Sequence, residues 1–376
     1  MGIPLVLFRK NVAKKVPTRR NSIDWVYTKL TERTQNRAER KFIMATFKAG
    51  IIGCGGRGRS HARGYQASPD VEIVACSDPV ENARDALAEQ FEVPNTYENY
   101  EEMLDKESLD FVSVCTWIAL HRDMVIAAAN SGIKAIHSEK PMAPTWGDAK
   151  ALYQACVDND VVITFCHQRR FGAQFIKAKQ LANEGSIGEL RRLEGSCSNL
   201  LDWGTHWFDM FLFYNNDEPV DWVIGQIDVA EERLVFGTQV ETSGLSWFRW
   251  KNGVEGLLTT GGVSLKGFAN RLIGTEGIID VGGGAPVRLL RTGADDWEIP
   301  DLSDIPKGDD TVLSVLDLVD SVKTGREPEL SGRKAIQGAE LIFATYESSR
   351  RRAKITLPLT VDDSALLTMV ANGEIG

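Results

Sequence analysis

Three glycines near residue 55 constrain the fold more than any other feature of this sequence. The spacing Gly53-x-Gly55-x-x-Gly58 follows the apolar run 47–52 and precedes a helical segment. Glycines at this spacing allow a tight turn after a strand and let the backbone approach a pyrophosphate at the positive end of the helix. The context therefore predicts a dinucleotide-binding turn, which includes Arg57. A glycine-rich turn without a ligand is the alternative.

Strand and helix alternate from this turn to about residue 166. Further strands are predicted at 71–76, 109–116, 133–137 and 161–166, separated by helices at 81–91, 119–131 and 145–159. After Gln168 come longer strands at 221–231, 237–250, 254–263 and 271–281, helices at 311–324 and 334–350, and a short strand at 355–359. We therefore expect an α/β Rossmann domain at 45–166 with a doubly wound parallel sheet, and an α+β domain at 167–376 with a large, mostly antiparallel sheet.

Residues 1–44 differ in composition from the rest of the chain. Positions 1–43 carry eleven Lys or Arg against three acids, whereas the whole chain has a net charge of -9. Met44 directly precedes the first predicted strand. We expect residues 1–44 to be either a basic N-terminal extension or upstream sequence assigned to the wrong start.

The acidic balance disfavours binding to nucleic acid or to anionic membranes. No apolar run approaches the roughly 18 residues that a membrane-spanning helix needs. The six cysteines show no C-x-x-C pair and no zinc-site spacing, and several lie in apolar runs. We expect a cytoplasmic protein with reduced cysteines, a small-molecule substrate, no metal, and neither nucleic acid nor membrane as a partner.

Asp78 follows the second predicted strand, 20 residues past Gly58. A carboxylate at this position accepts hydrogen bonds from the ribose hydroxyls of a dinucleotide and repels a 2′-phosphate. The next residues, Pro79 and Val80, offer no arginine to bind that phosphate. The sequence therefore favours NAD over NADP. Capping of the following helix is a compatible role for Asp78.

Two polar motifs are candidates for the chemistry. Glu139-Lys140-Pro141 follows a strand directly, at the carboxyl edge of the sheet where ligands collect, and a lysine there can polarise a substrate oxygen. Asp202 and His206 stand four residues apart, a spacing that predicts one helix face and a proton-transfer pair. The alternatives are an exposed loop lysine, a helix cap and a hydrogen-bonded core histidine.

Taken in order, these motifs resemble the glucose-fructose oxidoreductase and inositol dehydrogenase (Gfo/Idh/MocA) family from residue 47 to about 359. The resemblance also includes Thr116 to His121, Ala127-Ala128-Ala129-x-x-Gly132 and Arg271-Leu272-x-Gly274-Thr275-Glu276-Gly277. It implies that Lys140, Asp202 and His206 are catalytic. In that reading His206 takes the hydroxyl proton as hydride leaves the same carbon, Lys140 polarises the oxygen, and Asp202 assists His206.

The motifs and the resemblance together give two sets of expected contacts. The cofactor contacts are Gly53, Gly55, Gly58, Arg57, Asp78, Thr116, Trp117, His121, Glu139 and Lys140. The substrate contacts are Lys140, Gln168, Arg169, Asp202 and His206.

The chain departs from the family pattern at two places. Trp117 stands where the family often has Pro after Thr. The passage from Glu194 to Asp202 is short, whereas family members commonly have a longer, glycine-containing loop there. We expect one wall of the substrate pocket to be missing, so no relative's substrate is carried over.

The resemblance implies NAD-dependent oxidation of a secondary hydroxyl on a sugar, cyclitol or sugar derivative. One alternative is a redox-neutral NAD-dependent glycosidase with a tightly held cofactor. The other is a silent dinucleotide sensor, which would be expected to lose Lys140 or His206. The apolar run 245–250 resembles the face through which family members pair, so a homodimer or homotetramer is expected. Core-facing tryptophans are the plain alternative.

Overall fold

The computed structural model describes residues 47–261, 269–305 and 307–375, and its first sheet is parallel. The expected extension at 1–44 lies outside the described residues. Six strands in the order β3-β2-β1-β4-β5-β6 form this sheet: Phe47–Ile52 (β1), Val71–Ser77 (β2), Asn95–Tyr97 (β3), Phe111–Val114 (β4), Ala135–Ser138 (β5) and Val162–Phe165 (β6). The connecting helices are Gly56–Ala67 (α1), Glu81–Phe91 (α2), Tyr100–Lys106 (α3), His121–Asn130 (α4) and Trp146–Asp158 (α5). The prediction of a doubly wound parallel sheet is confirmed.

Strand β1 marks the point where the strand order reverses. It pairs with β2 on one side and with β4 on the other, both in parallel. Loops leaving β1 and β4 therefore go to opposite faces of the sheet and leave a crevice between them. In open α/β sheets, ligands bind in this crevice beyond the carboxyl ends of the strands.

The second sheet has eight strands in the order β15-β14-β13-β7-β12-β11-β8-β16. They are Leu190–Cys197 (β7), Val220–Asp228 (β8), Ser243–Trp250 (β11), Glu255–Thr260 (β12), Asn270–Gly274 (β13), Gly277–Gly282 (β14), Ala285–Arg291 (β15) and Ile355–Thr356 (β16), with a separate hairpin of Leu234–Val235 (β9) and Thr238–Gln239 (β10). All neighbours pair antiparallel except β12 with β7. The expected mostly antiparallel sheet is confirmed.

Two predicted strands of this sheet are each divided. The run 271–281 is a hairpin, because Thr275 and Glu276 form a turn between β13 and β14. The run 237–250 is split into β10 and β11. The stretches Gly274-Thr275-Glu276-Gly277 and Glu241-Thr242-Ser243-Gly244 interrupt the apolar pattern at the two breaks, so each turn has a local signal that the prediction of one long strand overlooked.

The remaining helices are Ala173–Asn183 (α6), Gly204–Tyr214 (α7), Asp310–Thr324 (α8), Gly332–Arg351 (α9) and Ala365–Ala371 (α10), with 3-10 turns at Ile118–Leu120 and Gln168–Phe171. Helix α9 packs on the second sheet so closely that a Cβ atom at Gly225 would lie 2.4 Å from Thr345 Cγ2. Across the described segments, every helix is too short or too polar to span a bilayer.

Helix α8 completes the core of the first sheet although it lies far along the chain. Val315 and Leu318 belong to the same buried cluster as Phe47 and Phe111. Helix α1 approaches α8 through Gly64, where a Cβ atom would lie 2.6 Å from Val315 Cβ. The expected division at residue 166 therefore separates the two sheets but does not enclose the first core.

A buried cation fixes the 3-10 turn that follows β6. Arg170 is fully buried and donates hydrogen bonds to Asp209, Asp217 and Glu329, at 2.9, 2.8 and 3.2 Å. A buried guanidinium is stable only with such partners. Because Asp209 lies on α7, this ion cluster holds the turn against the helix that carries His206.

Candidate active site

The glycine turn has the geometry that its spacing predicts. Gly53 has a φ of +93°, and a Cβ atom there would lie 2.5 Å from Cys115 O. A Cβ atom at Gly58 would lie 2.0 Å from Gly53 O, whereas one at Gly55 would meet no atom within 4 Å. The turn therefore closes through Gly53 and Gly58, and Gly55 leaves the space that a pyrophosphate needs at the start of α1.

Asp78 anchors the turn from the end of β2. Its two carboxylate oxygens accept the backbone N–H of Cys54 at 2.8 Å and of Val80 at 2.9 Å. Each oxygen keeps a lone pair for a ribose hydroxyl, so the residues present fit the adenosine end of NAD. Arg84 donates to the main-chain oxygen of Asp78 at 2.8 Å. Arg84 lies on α2, six residues past Asp78, so the residues adjacent to Asp78 in the sequence do not indicate it.

A cleft of about 340 Å³ opens between the turn and the second part of the chain. The predicted residues that line it are Gly55, Arg57, Thr116, Trp117, Glu139, Lys140 and Gln168. Sequence reasoning did not select the other lining residues, which are Gly56, Cys115, Ile118 and Phe236. The fold thus brings these seven expected contacts into one space. The other expected contacts, which are Gly53, Gly58, Asp78, His121, Arg169, Asp202 and His206, are not among its lining residues.

Glu139 is buried in the floor of this cleft and is held by two side chains. Arg57 Nε and His61 Nε2 lie 2.5 and 3.0 Å from the same carboxylate oxygen. Burial alone would raise the pKa of Glu139, but the hydrogen bond from His61 and the charge of Arg57 lower it below its ordinary value. Glu139 therefore remains a carboxylate, and His61 is a site residue that sequence reasoning missed.

His121 lies behind the cleft. Its two ring nitrogens are 2.9 Å from Pro141 O and 3.1 Å from Thr116 O. The imidazole lies between the loop after β4 and the loop after β5, and its single N–H group can donate to one of these two carbonyl oxygens. This placement explains a positioning role and leaves no ring nitrogen for a direct cofactor hydrogen bond.

Lys140 enters the cleft beside Asp202. Its Nζ atom donates to Asp202 Oδ1 at 2.5 Å and to Asp202 O at 3.1 Å. Both side chains are largely buried, with exposed fractions of 17% and 9%. A charge-assisted pair in this setting fixes the ammonium group at one point of the cleft.

Asp202 lies in the turn before α7, where hydrogen bonds to the main chain fix its position. Helix α7 begins at Gly204, so the prediction that Asp202 and His206 share a helix face is wrong. Asp202 N–H instead donates to Asn199 Oδ1 at 2.7 Å, and the neighbouring Leu200 N–H donates to Glu241 at 2.5 Å. The carboxylate consequently faces Lys140.

Glu241 is a buried acid for which the described residues supply no cationic partner. It also accepts hydrogen bonds from the hydroxyls of Tyr346 at 2.8 Å and Thr260 at 3.1 Å. Burial raises its pKa to about 7, against the lowering effect of these bonds. A distant strand connection supplies this support for the turn, and no local sequence pattern indicates it.

His206 is buried in the first turn of α7. Its Nδ1 atom has no hydrogen-bond partner, and within the described ranges Nε2 has none either. Burial lowers its pKa well below the ordinary value, and the positive charges of Lys140 and Arg169 lower it further. The imidazole is therefore neutral at physiological pH and free to accept a proton.

The wall expected to be missing is bordered by the β9–β10 hairpin. Phe236 lines the cleft at the tip of this hairpin. A Cβ atom at the adjacent Gly237 would lie 3.3 Å from the Trp117 ring. The departure at Trp117 thus meets a hairpin that comes from the second sheet, and this contact between distant segments has no signal in the sequence.

His61, His137 and Cys166 bring potential metal-ligand atoms within 4.8 Å of one another. Their ring nitrogens all have oxygen partners, which belong to Ser113, Glu139, Thr164 and Ser314. Arg57 also lies 3.2 Å from Cys166 Sγ, and a guanidinium repels a cation. These contacts explain the cluster without a metal ion, because its members help to hold Glu139 and Arg57 in place.

The chain is similar to known dehydrogenases in sequence and in fold. Residues 47–167 match a family model described as an oxidoreductase family with an NAD-binding Rossmann fold. D-apiose dehydrogenase from Paraburkholderia graminis is 31% identical over 158 residues, which are 42% of each chain. Myo-inositol 2-dehydrogenase from Thermotoga maritima is 25% identical over 249 residues, which are 62% of this chain and 74% of that one.

Solved structures extend the likeness to both sheets. Levoglucosan dehydrogenase, solved with NADH and levoglucosan, superimposes with a TM-score of 0.72 and 20% identity over 83% of this chain and 100% of that one. At this identity the likeness concerns the fold. The sequence likeness to the GFO_IDH_MocA oxidoreductase family is carried by residues 47–167, the part of the chain that the family model matches.

Proposed function

We propose that this protein is an NAD-dependent oxidoreductase that moves hydride between a secondary hydroxyl of a sugar, cyclitol or sugar derivative and nicotinamide. One observation carries the proposal. The ammonium group fixed by Asp202 and the unpaired imidazole of His206 lie at the carboxyl edge of a sheet whose glycine turn fits a dinucleotide. The relatives named above are dehydrogenases of sugars and a cyclitol, which favours this reading over a redox-neutral glycosidase.

NAD would supply the hydride acceptor at the substrate carbon. Gly55 and the first backbone N–H groups of α1 would hold the pyrophosphate, and Asp78 the adenosine ribose. An adenosine 2′-phosphate would meet the carboxylate of Asp78, so NAD is the preferred cofactor. Thr116, Trp117 and Glu139 would border the nicotinamide half.

The roles of the catalytic side chains follow from their contacts. Lys140 binds the substrate oxygen and stabilises the negative charge that develops when its proton leaves. Asp202 holds the ammonium in place. His206 accepts the hydroxyl proton at Nε2, because Nδ1 is buried and inaccessible to a substrate. Gln168 lines the cleft and is positioned to orient further hydroxyls.

The test is to incubate the purified chain with a panel of sugars, cyclitols and glycosides, with and without added NAD. NADH absorbance and product release are followed together, with Lys140→Ala and His206→Ala as controls. NADH that accumulates with a polyol and is lost in both variants supports the proposal. Glycoside cleavage without net NADH would replace it with the redox-neutral alternative.

The exposed face of the second sheet supports a homo-oligomer, either a dimer or a tetramer. Ile224, Leu245 and Trp247 are 38%, 40% and 37% exposed on adjacent strands. A second copy of this sheet would cover the apolar patch. Sedimentation of the wild type and of Trp247→Glu tests this, because a charge in such an interface should produce monomers.

The cysteines support a cytoplasmic location for the enzyme. All six are free and lie among the described residues. Free thiols persist in a reducing compartment, whereas oxidising compartments favour disulfides. Fractionation of cells that express the full chain would test the location.

A further inference from the structure

The two consecutive arginines of the 3-10 turn after β6 have opposite surroundings. Arg170 is fully buried among three carboxylates. In the part of the chain that the structure describes, the guanidinium of Arg169 makes neither a hydrogen bond nor an ion pair, and its Nε atom is buried without a partner. Asp310 is the acid whose charge acts on Arg169 most, yet it forms no ion pair with it.

Aromatic rings hold Arg169 in place instead. Its guanidinium carbon lies 4.6 Å from the ring centroid of Trp207 and 5.5 Å from that of Trp203. Such stacking stabilises a cation in part and leaves the donor edge of the guanidinium unused. Arg169 as a whole is only partly buried, but a buried N–H group without an acceptor is costly unless a ligand supplies one.

The stack stands directly beside the proposed reaction centre. Trp203 follows Asp202 in the chain, and its ring centroid is 6.4 Å from that of His206. The other cations of the site already have acids, since Lys140 pairs with Asp202 and Arg57 with Glu139. Arg169 is thus the cation of this site whose charge no described acid pairs with.

We propose that Arg169 binds a carboxylate of the substrate, so that the enzyme acts on a sugar acid, such as a uronate or an aldonate, in preference to the neutral sugar. This inference rests on the proposed function. A carboxylate matches the planar donor edge of a guanidinium and brings one negative charge to one positive charge that no described acid contacts directly. A phosphate would bring about -1.5 to -2 charges at pH 7 and would leave an excess in this pocket.

The test compares matched acid and neutral sugars with the full chain. NADH formation is measured at saturating NAD for glucuronate against glucose, galacturonate against galactose, and gluconate against sorbitol, with glucose 6-phosphate as the phosphate arm. Arg169→Gln removes the charge, Arg169→Lys keeps it without the planar edge, and Arg191→Gln removes an exposed arginine of β7 as the matched control. Calorimetric binding of each compound to the NADH complex provides a readout that needs no turnover.

The expected result is that an acid is the better substrate or ligand of its pair. Arg169→Gln should lower the ratio of acid to neutral kcat/KM by about 10- to 100-fold, the effect of losing one charge-assisted contact. The ratio for Arg169→Lys should lie between those of the wild type and Arg169→Gln. The ratio for Arg191→Gln should equal that of the wild type. Because the neutral sugar is the internal reference, a general defect in folding does not change the ratio.

Three results would overturn the inference. The first is an equal kcat/KM for the acid and the neutral sugar of each pair. The second is a fall in kcat/KM in Arg169→Gln that is the same for both. The third is a higher kcat/KM for glucose 6-phosphate than for every acid. Oxidation of neutral sugars without preference would refute the acid specificity and leave the proposed function intact. If calorimetry shows that acids bind and that binding is lost in Arg169→Gln, but no compound yields NADH, the anion site is supported and the dehydrogenase reaction is not.

Discussion

Asp202 holds Lys140 with both its carboxylate and its main-chain oxygen, at 2.5 and 3.1 Å from the same ammonium group. Two acceptors from one residue define a position for the ammonium more narrowly than a single ion pair does. The main-chain oxygen is itself fixed, because Asn199 and Glu241 hold the turn that carries it. Lys140 is thus positioned by a backbone turn as well as by a charge.

Replacement of Lys140 by Met should lower kcat by about 100- to 1,000-fold, as expected for the loss of one group that stabilises developing negative charge. The binding of NADH, followed by its fluorescence, should change little, because the glycine turn and Asp78 remain. Lys106→Met, on the exposed face of α3, serves as the matched control. An unchanged kcat in Lys140→Met would exclude the proposed role.

Asp202→Asn separates the two contacts to Lys140. The side-chain charge is lost while the main-chain oxygen remains, so the fall in kcat should be smaller than in Lys140→Met. Steady-state kinetics of the two single variants and the double variant form a cycle. Because both residues act on one ammonium group, the double variant should be no worse than Lys140→Met. Additive losses would show that Asp202 acts on another group.

The pH dependence of hydroxyl oxidation should reflect the depressed pKa of His206. Burial, followed by the charges of Lys140, Arg169, His167 and Arg57, disfavours the protonated imidazole. The basic form therefore persists as the pH falls through 6.5, and kcat/KM should hold its value there. NMR titration of histidine-labelled protein, with His206→Gln to assign the signal, measures the same group directly. Titration of His206 at or above pH 6.5 would contradict this account.

Asp78→Ser should narrow the preference for NAD over NADP. The variant removes the carboxylate that meets the ribose, and Arg84, which already contacts the main chain of Asp78, then becomes available to a 2′-phosphate. We expect NAD affinity to fall by about tenfold, equivalent to 1.4 kcal/mol, and NADP affinity to rise. Fluorescence titrations with NADH and NADPH test this. The double variant Asp78→Ser/Arg84→Gln should not show the increased affinity for NADP.

Glu241 should make the protein less stable as the pH rises towards neutrality. Its pKa of about 7 lies above the ordinary 4.5, so the folded protein binds an additional proton between these values. The associated stability is complete below pH 4.5 and is lost as the pH rises through 7. Glu241→Gln, which cannot ionise, should remove roughly 3 kcal/mol of this dependence.

Denaturant unfolding at several pH values provides the measurement for Glu241. The matched control is Glu231→Gln, which changes an exposed acid and should keep the wild-type slope. The amide of Glu241→Gln can retain the hydrogen bonds to Leu200 and Tyr346 with one oxygen and one N–H group. A variant with the wild-type dependence on pH would show that Glu241 does not titrate in this range.

Local patterns in the sequence predicted the parts of the molecule that depend on neighbouring residues. The glycine turn, the strand before it and the position of Lys140 after β5 all follow from runs of a few residues. The turn between β13 and β14 was misjudged although Gly274 and Gly277 flank it. The start of α7 was misjudged because apolar and aromatic residues stand on both sides of it. Boundaries of this kind depend on which residues the tertiary structure pairs.

The contacts of the site depended on segments that are distant in the chain. Phe236 reaches the cleft from a hairpin, and Glu241 supports the turn that carries Asp202 from the strand connection after that hairpin. The different surroundings of Arg169 and Arg170 likewise arise from three acids spread over more than a hundred residues. Such placements follow from the fold and carry no short-range signal.

The packing of α8 on the first sheet has a consequence for how the chain is made. A nascent protein leaves the ribosome from its N-terminus, and N-terminal domains commonly fold before the rest is synthesised. Here the apolar patch around Gly64 and Phe47 stays uncovered until Val315 and Leu318 have been synthesised. These residues follow nearly all strands of the second sheet in the chain. The dinucleotide-binding part therefore completes its core only after α8 has been synthesised, and a chain that ended after residue 167 would leave that patch exposed to chaperones.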